Sequence, residues 1–126
     1  MATITKFTDL NVWKEAHKLT LLIYEDSSTF PKSETFGLTS QIRRAVVSIE
    51  SNIAEGFSRF HYKDRLVFYY DARGSVSEVQ CQTIISKDIE YINQSQFEEI
   101  WKQSELVTII LGGLIRSTLN ISKKKV

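Results

Sequence analysis

The 126-residue chain contains one cysteine, one proline and five glycines. A lone Cys81 forms no intrachain disulfide and leaves a cysteine-based metal site short of ligands. So few chain breaks argue against a β-sandwich or barrel, which needs many tight turns. An excess of one charge is also missing: 16 Lys and Arg stand against 15 Asp and Glu, a net charge of +1. A wholesale polyanion binder carries more, so any nucleic-acid role requires a local patch. Long hydrophobic runs are absent too. The most apolar stretch, Val107 to Ile115, is half of what crosses a bilayer. Met1 to Phe7 holds no apolar core of signal-peptide length. The expectation is a soluble cytoplasmic protein without a membrane partner. Hydrophobic residues at 42% and charged residues at 25% fit one globular domain over residues 1–126 and exclude intrinsic disorder.

What is present is helical periodicity, in four blocks. The first spans about Asp9 to Ser28, with Val12, Ala16, Leu19 and Ile23 on one stripe. Thr8 is the expected cap, with Phe7 and Val12 as a hydrophobic staple. Phe30-Pro31 ends the block, because the residue before proline avoids helical geometry. The second spans about Leu38 to Ser58, with Ile42, Ala45, Val46, Ile49 and Ile53 inward. The third spans about Tyr62 to Ile92, with Leu66, Tyr69, Arg73, Val76, Ile84, Ile85 and Ile89 near one side. The fourth opens on a capping-box pattern, Ser95 to Glu98, and ends in Lys123-Lys124-Lys125, which suit the negative end of a helix dipole. Short connectors force antiparallel neighbours. The predicted fold is an all-α, antiparallel up-down four-helix bundle.

Enzyme chemistry finds little purchase. A di-iron bundle needs Glu-x-x-His on two helices, and neither His17 nor His61 has an acid three residues before it. Cys81 lies in an apolar-periodic helix and reads as a small buried residue. Gly112-Gly113 lacks the spacing and the Lys-Ser/Thr of a phosphate loop. The expectation is a non-enzyme with no cofactor and no metal.

Gln41 to Arg73 is the informative segment. Gln41, Ala45, Ser48, Asn52 and Gly56 form a small, polar stripe beside the apolar one. It reads either as an intrachain helix contact or as a subunit contact. If residues whose numbers sum to about 120 lie level, Glu55 faces Arg65, and Arg44 comes near Glu78, as candidate ion pairs. Five of the six arginines (Arg43, Arg44, Arg59, Arg65 and Arg73) lie in this segment, with Lys63 among them. Phe57, Phe60, Tyr62, Phe68, Tyr69 and Tyr70 interleave with them. Such residues neutralise phosphates and stack on unpaired bases. The aromatics also suit capping the bundle or sealing a subunit interface. Residues 76–110 hold six acids against two lysines, so the molecule should be polarised by charge.

Several of these residues resemble a known family. Phe7-Thr8-Asp9-Leu10-Asn11-Val12-Trp13, Phe30-Pro31-Lys32, Gly37 to Ala45, Ser48-Ile49, Ser51 to Phe57 with Arg59, and Gly74-Ser75 with Glu78 and Gln82 are similar to signatures of the bacterial 23S rRNA intervening-sequence proteins. The resemblance implies a four-helix bundle. It implies a link to RNA, since some of that family's genes lie within insertions in 23S rRNA genes. It further suggests kinship with the accessory determinants of diversity-generating retroelements, which are basic, barrel-like homopentamers that bind nucleic acid and a reverse transcriptase. The chain departs from the family pattern at Glu50, where proline is usual, and is less basic than the retroelement proteins.

Two functional readings follow. The first is a homo-oligomer, a pentamer by the resemblance, that binds RNA or DNA weakly through Arg43, Arg44, Arg59, Lys63, Arg65 and Arg73. The second is a protein-interaction scaffold whose arginines pair with Glu50, Glu55, Asp64, Asp71 or Glu78. In either, Gln41, Ser48, Asn52, Glu55, Gly56 and Phe57 are expected at a subunit interface or as a structural motif within the chain. The matching surface of a ring would lie on the first or third helix. Gly56→Leu should then lower the oligomer's mass and leave its helices intact.

Overall fold

A computed structural model describes residues 3–124. Four helices carry them: α1 Asn11–Ser27, α2 Leu38–Ser58, α3 Tyr62–Asp88 and α4 Gln94–Lys124. Short 3-10 turns, Phe7–Asp9 and Lys32–Glu34, precede α1 and α2. No strand occurs among the described residues. Each helix packs on two others, with α1 against α4 closing the circuit.

Side-chain pairings give the directions. Arg43 Nε donates to Ser27 Oγ at 2.9 Å, Thr20 Oγ1 to the Val46 carbonyl at 3.4 Å, and His17 Nδ1 lies 3.1 Å from Glu50 Oε2. Gln103 Nε2 donates to the Glu15 carbonyl at 2.9 Å, and Gln96 Nε2 to Asp26 Oδ1 at 3.2 Å. Numbers rise on one helix as they fall on its neighbour. That is consistent with the up-down order the short connectors demand.

Helix ends differ in detail from the sequence expectation. Asp9, not Thr8, gathers the free donors before α1, accepting from the backbone N–H of Thr5 at 3.1 Å and Lys6 at 3.0 Å. Phe7 packs edge-on against Trp13, with ring centroids 5.3 Å apart. The box opening α4 sits two residues early. Asn93 Oδ1 accepts from Gln96 N–H at 2.8 Å, and Gln96 Oε1 accepts from Asn93 N–H at 2.9 Å. An Asn-x-x-Gln pair satisfies the same orphan donors as the Ser-x-x-Glu pair expected. Helix α3 stops at Asp88, where Glu90 turns left-handed at φ 66° and the Ser86 carbonyl accepts from Tyr91 and Ile92. The lysine tail lies in the last turn of α4 as far as Lys124, and Lys125 falls outside the described residues.

The core holds Leu19, Ile23, Val46, Ile49, Ile53, Tyr69, Val79, Ile100, Val107 and Leu111. Helix α3 corrects one expectation. Its inward stripe runs Leu66, Tyr69, Ala72, Val76, Val79, Thr83 and Ser86, every step three or four residues. Period therefore overrides hydropathy in its second half. Thr83 and Ser86 are buried, with hydroxyls donated to the carbonyls of Val79 and Gln82 at 2.6 and 2.8 Å. Ile84, Ile85 and Ile89 are left at 42%, 43% and 47% exposure. Cys81, expected inside, is exposed on the same outer side.

Candidate nucleic-acid interface

The pairing of helices sorts charge to the two ends of the bundle. One end collects the C-termini of α1 and α3 and the N-termini of α2 and α4. It carries Glu25, Asp26, Glu34, Asp88, Glu90, Glu98 and Glu99, against Lys32, Arg43, Arg44 and Lys87. The opposite end carries Lys6, Arg59, Lys63, Arg65, Lys123 and Lys124, against Asp9, Glu55 and Asp64.

Asp26 is the uncomfortable member of the acidic end. Its Oδ2 is buried without a partner, although Oδ1 accepts from Gln96. Burial pushes its carboxyl above the usual range, and Glu99 and Glu25 push the same way. It also stands in the last turn of α1, at the negative end of that dipole. A carboxylate harder to ionise in the folded state destabilises it above the unfolded pKa. Asp26→Asn is therefore expected to raise the melting temperature at neutral pH by a few degrees. The gain should vanish once the pH falls below the ordinary aspartate range. Thermal denaturation monitored by circular dichroism at the two pH values checks this.

At the basic end, α2 hands over to α3 through Arg59, Phe60 and His61. Arg59 and His61 are both extended, at φ −75°, ψ 136° and φ −87°, ψ 131°. The corner is braced from both helices. Arg65 Nε donates to the Arg59 carbonyl at 2.8 Å, and its guanidinium lies over Tyr62 at 4.6 Å and Phe57 at 5.0 Å. Arg59 lies over Phe68 at 4.6 Å and donates to Glu55 Oε1 at 2.6 Å. Beneath them Tyr69 is 1% exposed. Burial pushes its phenol above the usual range, with neighbouring Arg65 opposing the shift. Gly56 makes that packing feasible, because a Cβ there would stand 2.7 Å from Cε1 of Tyr69 and 3.1 Å from Cβ of Phe68.

Phe60 behaves differently from its neighbours. It is 87% exposed and meets His61 edge-to-face, with centroids 5.0 Å apart. Both rings line a half-open pocket of about 740 Å³ with Arg59, Tyr62, Lys63 and Arg65. Ser122, from the last turn of α4, closes one side. Lys63 joins no ion pair among the described residues. The corner thus combines cations, a bare aromatic ring and room for a small-molecule-sized group.

The structure does not bring all six expected basic residues together. Arg59, Lys63 and Arg65 share this pocket. Arg43 and Arg44 lie some 15 residues back along α2, about 22 Å at 1.5 Å per residue. There they border a recess with Phe36, which is 96% exposed. Arg43 is committed to α1 through Ser27 and through the Tyr24 carbonyl at 3.4 Å. Arg73 lies over Tyr70 at 5.1 Å, on the outer side of α3.

The ion pairs differ from those expected. Glu55 bonds Arg59, not Arg65, and Arg44 makes no ion pair with Glu78 among the described residues, although both border one recess. The register of α2 on α3 is shifted by about one turn. Ser75 Oγ donates to Ser48 Oγ at 2.9 Å, and Gly56 meets Tyr69. The close approach at Gly56 sets this register more strongly than connector length does. His17 with Glu50 is a pairing the sequence did not suggest, since its partners stand 33 residues apart. Trp13 stacks on His17 at 5.0 Å, interplanar 8°.

The small-polar stripe of α2 mostly faces α3 or its own helix. Ser48 bonds Ser75, and Asn52 Nδ2 donates to the Ser48 carbonyl at 2.8 Å. Phe57 packs against the core, whereas Gln41 and Glu55 are exposed. Gly56 is buried within the protomer, against Tyr69 and Phe68 of α3. Of the two readings of the stripe, the intrachain helix contact is the one visible at Gly56, where Tyr69 uses the small side.

Comparison with known proteins bears on this arrangement. The family model described as 23S rRNA-intervening sequence protein matches residues 8–113. The chain belongs to this family. The fold is similar to that in a crystal structure of a protein with unknown function from the S23 ribosomal protein family of Bacteroides thetaiotaomicron. That structure superposes with a TM-score of 0.75 at 21% sequence identity, covering 82% of this chain and 97% of the other. At that identity the likeness shows the fold alone. Comparison with curated proteins gave no significant match. The matched region of this intervening-sequence family protein includes all of α2 and α3, and with them the basic corner.

Proposed function

We propose that this protein is a non-catalytic, cytoplasmic homo-oligomer that binds RNA or DNA weakly through the basic end of its bundle. The observation that carries the reading is the pocket where Arg59, Lys63 and Arg65 surround exposed Phe60. The acidic far end supports it, because a polyanion is steered toward one end and repelled from the other. Near-zero net charge limits the strength of binding. The test is retardation of single- and double-stranded RNA at low salt, comparing the parent with Lys63→Ala and Arg59→Ala. Both changes should weaken the complex. Unaltered retardation would refute the reading.

The oligomer is proposed on a separate observation. Helix α4 is long and apolar enough to span a membrane by length and composition, yet only 28% of its most apolar window is buried. Ile109, at 70% exposure, and Leu106 join Leu21 of α1, at 57%, in a groove of about 710 Å³. Lys18 and Lys102 border it on one side of the charge balance, and Glu25, Glu99 and Glu105 on the other. Ile85 and Ile89, one and two turns beyond Cys81, form a second exposed stripe on α3. Two unlike apolar surfaces are what a heterologous, ring-closing contact requires. A second copy of the chain is therefore the proposed occupant of the groove. Five members are proposed for the ring, the number that the family resemblance suggests.

The scaffold reading keeps one supporting observation. Arg43, Arg59 and Arg65 all donate hydrogen bonds within the chain, which lowers the positive charge available outside. The retardation test separates the two readings.

A further inference from the structure

Phe60 sits where folding alone would not put it. Phenylalanine at 87% exposure on a short connector contributes almost nothing to the core. Yet the connector is rigidly made. Arg65 clasps the Arg59 carbonyl from one side, and His61 meets the ring edge-on from the other. The backbone flanking Phe60 is extended at both Arg59 and His61. A flat apolar ring is thus held in water beside Lys63 and Arg65, on the wall of an open pocket.

We infer that Phe60 is a stacking platform for one unpaired base of a single-stranded nucleic acid, with Lys63 and Arg65 meeting the flanking phosphates. The inference rests on the nucleic-acid reading above and narrows it to a substrate class. In a duplex the base faces are covered by their neighbours, so a protruding ring gains nothing there. In a single strand each base offers a π-face to an aromatic side chain, whatever the sequence. Arg65 serves as a preorganised donor, because Nε is already fixed on the Arg59 carbonyl and the guanidinium is stacked on Tyr62. Its guanidinium also hydrogen-bonds the Tyr69 side chain, and the N–H groups left over are held in place for an oxyanion. Phe36 provides an internal contrast. It is as bare as Phe60, at 96%, and borders Arg43 and Arg44. It stands, however, at the acidic end, two residues from Glu34.

The experiment compares two labelled single strands of equal length by fluorescence anisotropy at low salt. One carries bases, and the other is an abasic ribose-phosphate chain with the same number of phosphates. The parent should bind the base-bearing strand at least about fivefold more tightly than the abasic one. Phe60→Ala should erase that ratio while leaving abasic affinity unchanged. Phe60→Trp should keep it, and so should Phe36→Ala. Equal affinity of the parent for the two strands, or a ratio that survives Phe60→Ala, overturns the stacking inference and leaves the phosphate-binding reading standing. Failure of both strands to bind overturns the two together. Because Phe60 and Phe36 are solvent-exposed, all three variants keep the folded bundle, which circular dichroism verifies.

Discussion

Gly56→Ala is expected to destabilise the folded chain by roughly 1–3 kcal/mol, the usual cost of overpacking a filled interior. Gly56→Leu should cost more. The added Cβ would stand 2.7 Å from one carbon of the Tyr69 ring and 3.0 Å from the next. Tyr69 has little room to retreat, since it is 1% exposed and among the largest fully buried side chains. Helix α2 would have to move off α3, and with it the Arg59 carbonyl that Arg65 grips. Urea denaturation followed by circular dichroism gives the loss directly. A Gly56→Leu protein of parental stability, altered only in oligomer mass, would restore the subunit contact expected from sequence.

The second large effect concerns assembly. Light scattering of the parent should give a mass several times the 14.5 kDa of one chain, near fivefold. Ile109→Glu and, separately, Ile85→Glu should each reduce it to one chain. A glutamate in a desolvated apolar contact costs far more than any single contact returns. Both positions are exposed in the protomer, at 70% and 43%, so helix content should not change. A parent that is already monomeric at micromolar concentration, or a mass indifferent to both changes, contradicts the ring.

Much of the fold was legible from periodicity. Four blocks of apolar residues at helical spacing became four helices, and α2 matches its expected bounds of Leu38 and Ser58. What periodicity missed was local competition. Thr8 and Ser95 fit a capping pattern, but Asp9 and Asn93 lay close by with better-placed acceptors. On α3 the isoleucines attracted the reading inward, whereas steps of three and four carried Thr83 and Ser86 into the core. Hydropathy alone does not register that a hydroxyl can satisfy itself on its own helix.

The candidate site was legible in composition and illegible in partition. Clustering of arginines in Gln41–Arg73 is a one-dimensional fact, and a helix as long as α2 spreads such a cluster over two ends. Arg43 therefore joins Ser27 and Tyr24, while Arg59 and Arg65 join the corner. The aromatics divide similarly. Tyr69 is structural and Phe60 is bare, though both lie in one interleaved run. Helical spacing marks Tyr69 as inward but says nothing of Phe60, whose exposure arises from the connector between α2 and α3.

The most direct test of nucleic-acid binding at the basic corner is the salt dependence of affinity for a single-stranded RNA. Counterion release makes log affinity fall linearly with log salt, by about 0.7 per neutralised phosphate on a single strand. The parent should show such a slope, and Lys63→Glu should both weaken binding and reduce the slope by about one contact's worth. Absence of binding at low salt, or a slope that Lys63→Glu leaves unchanged, would contradict the account.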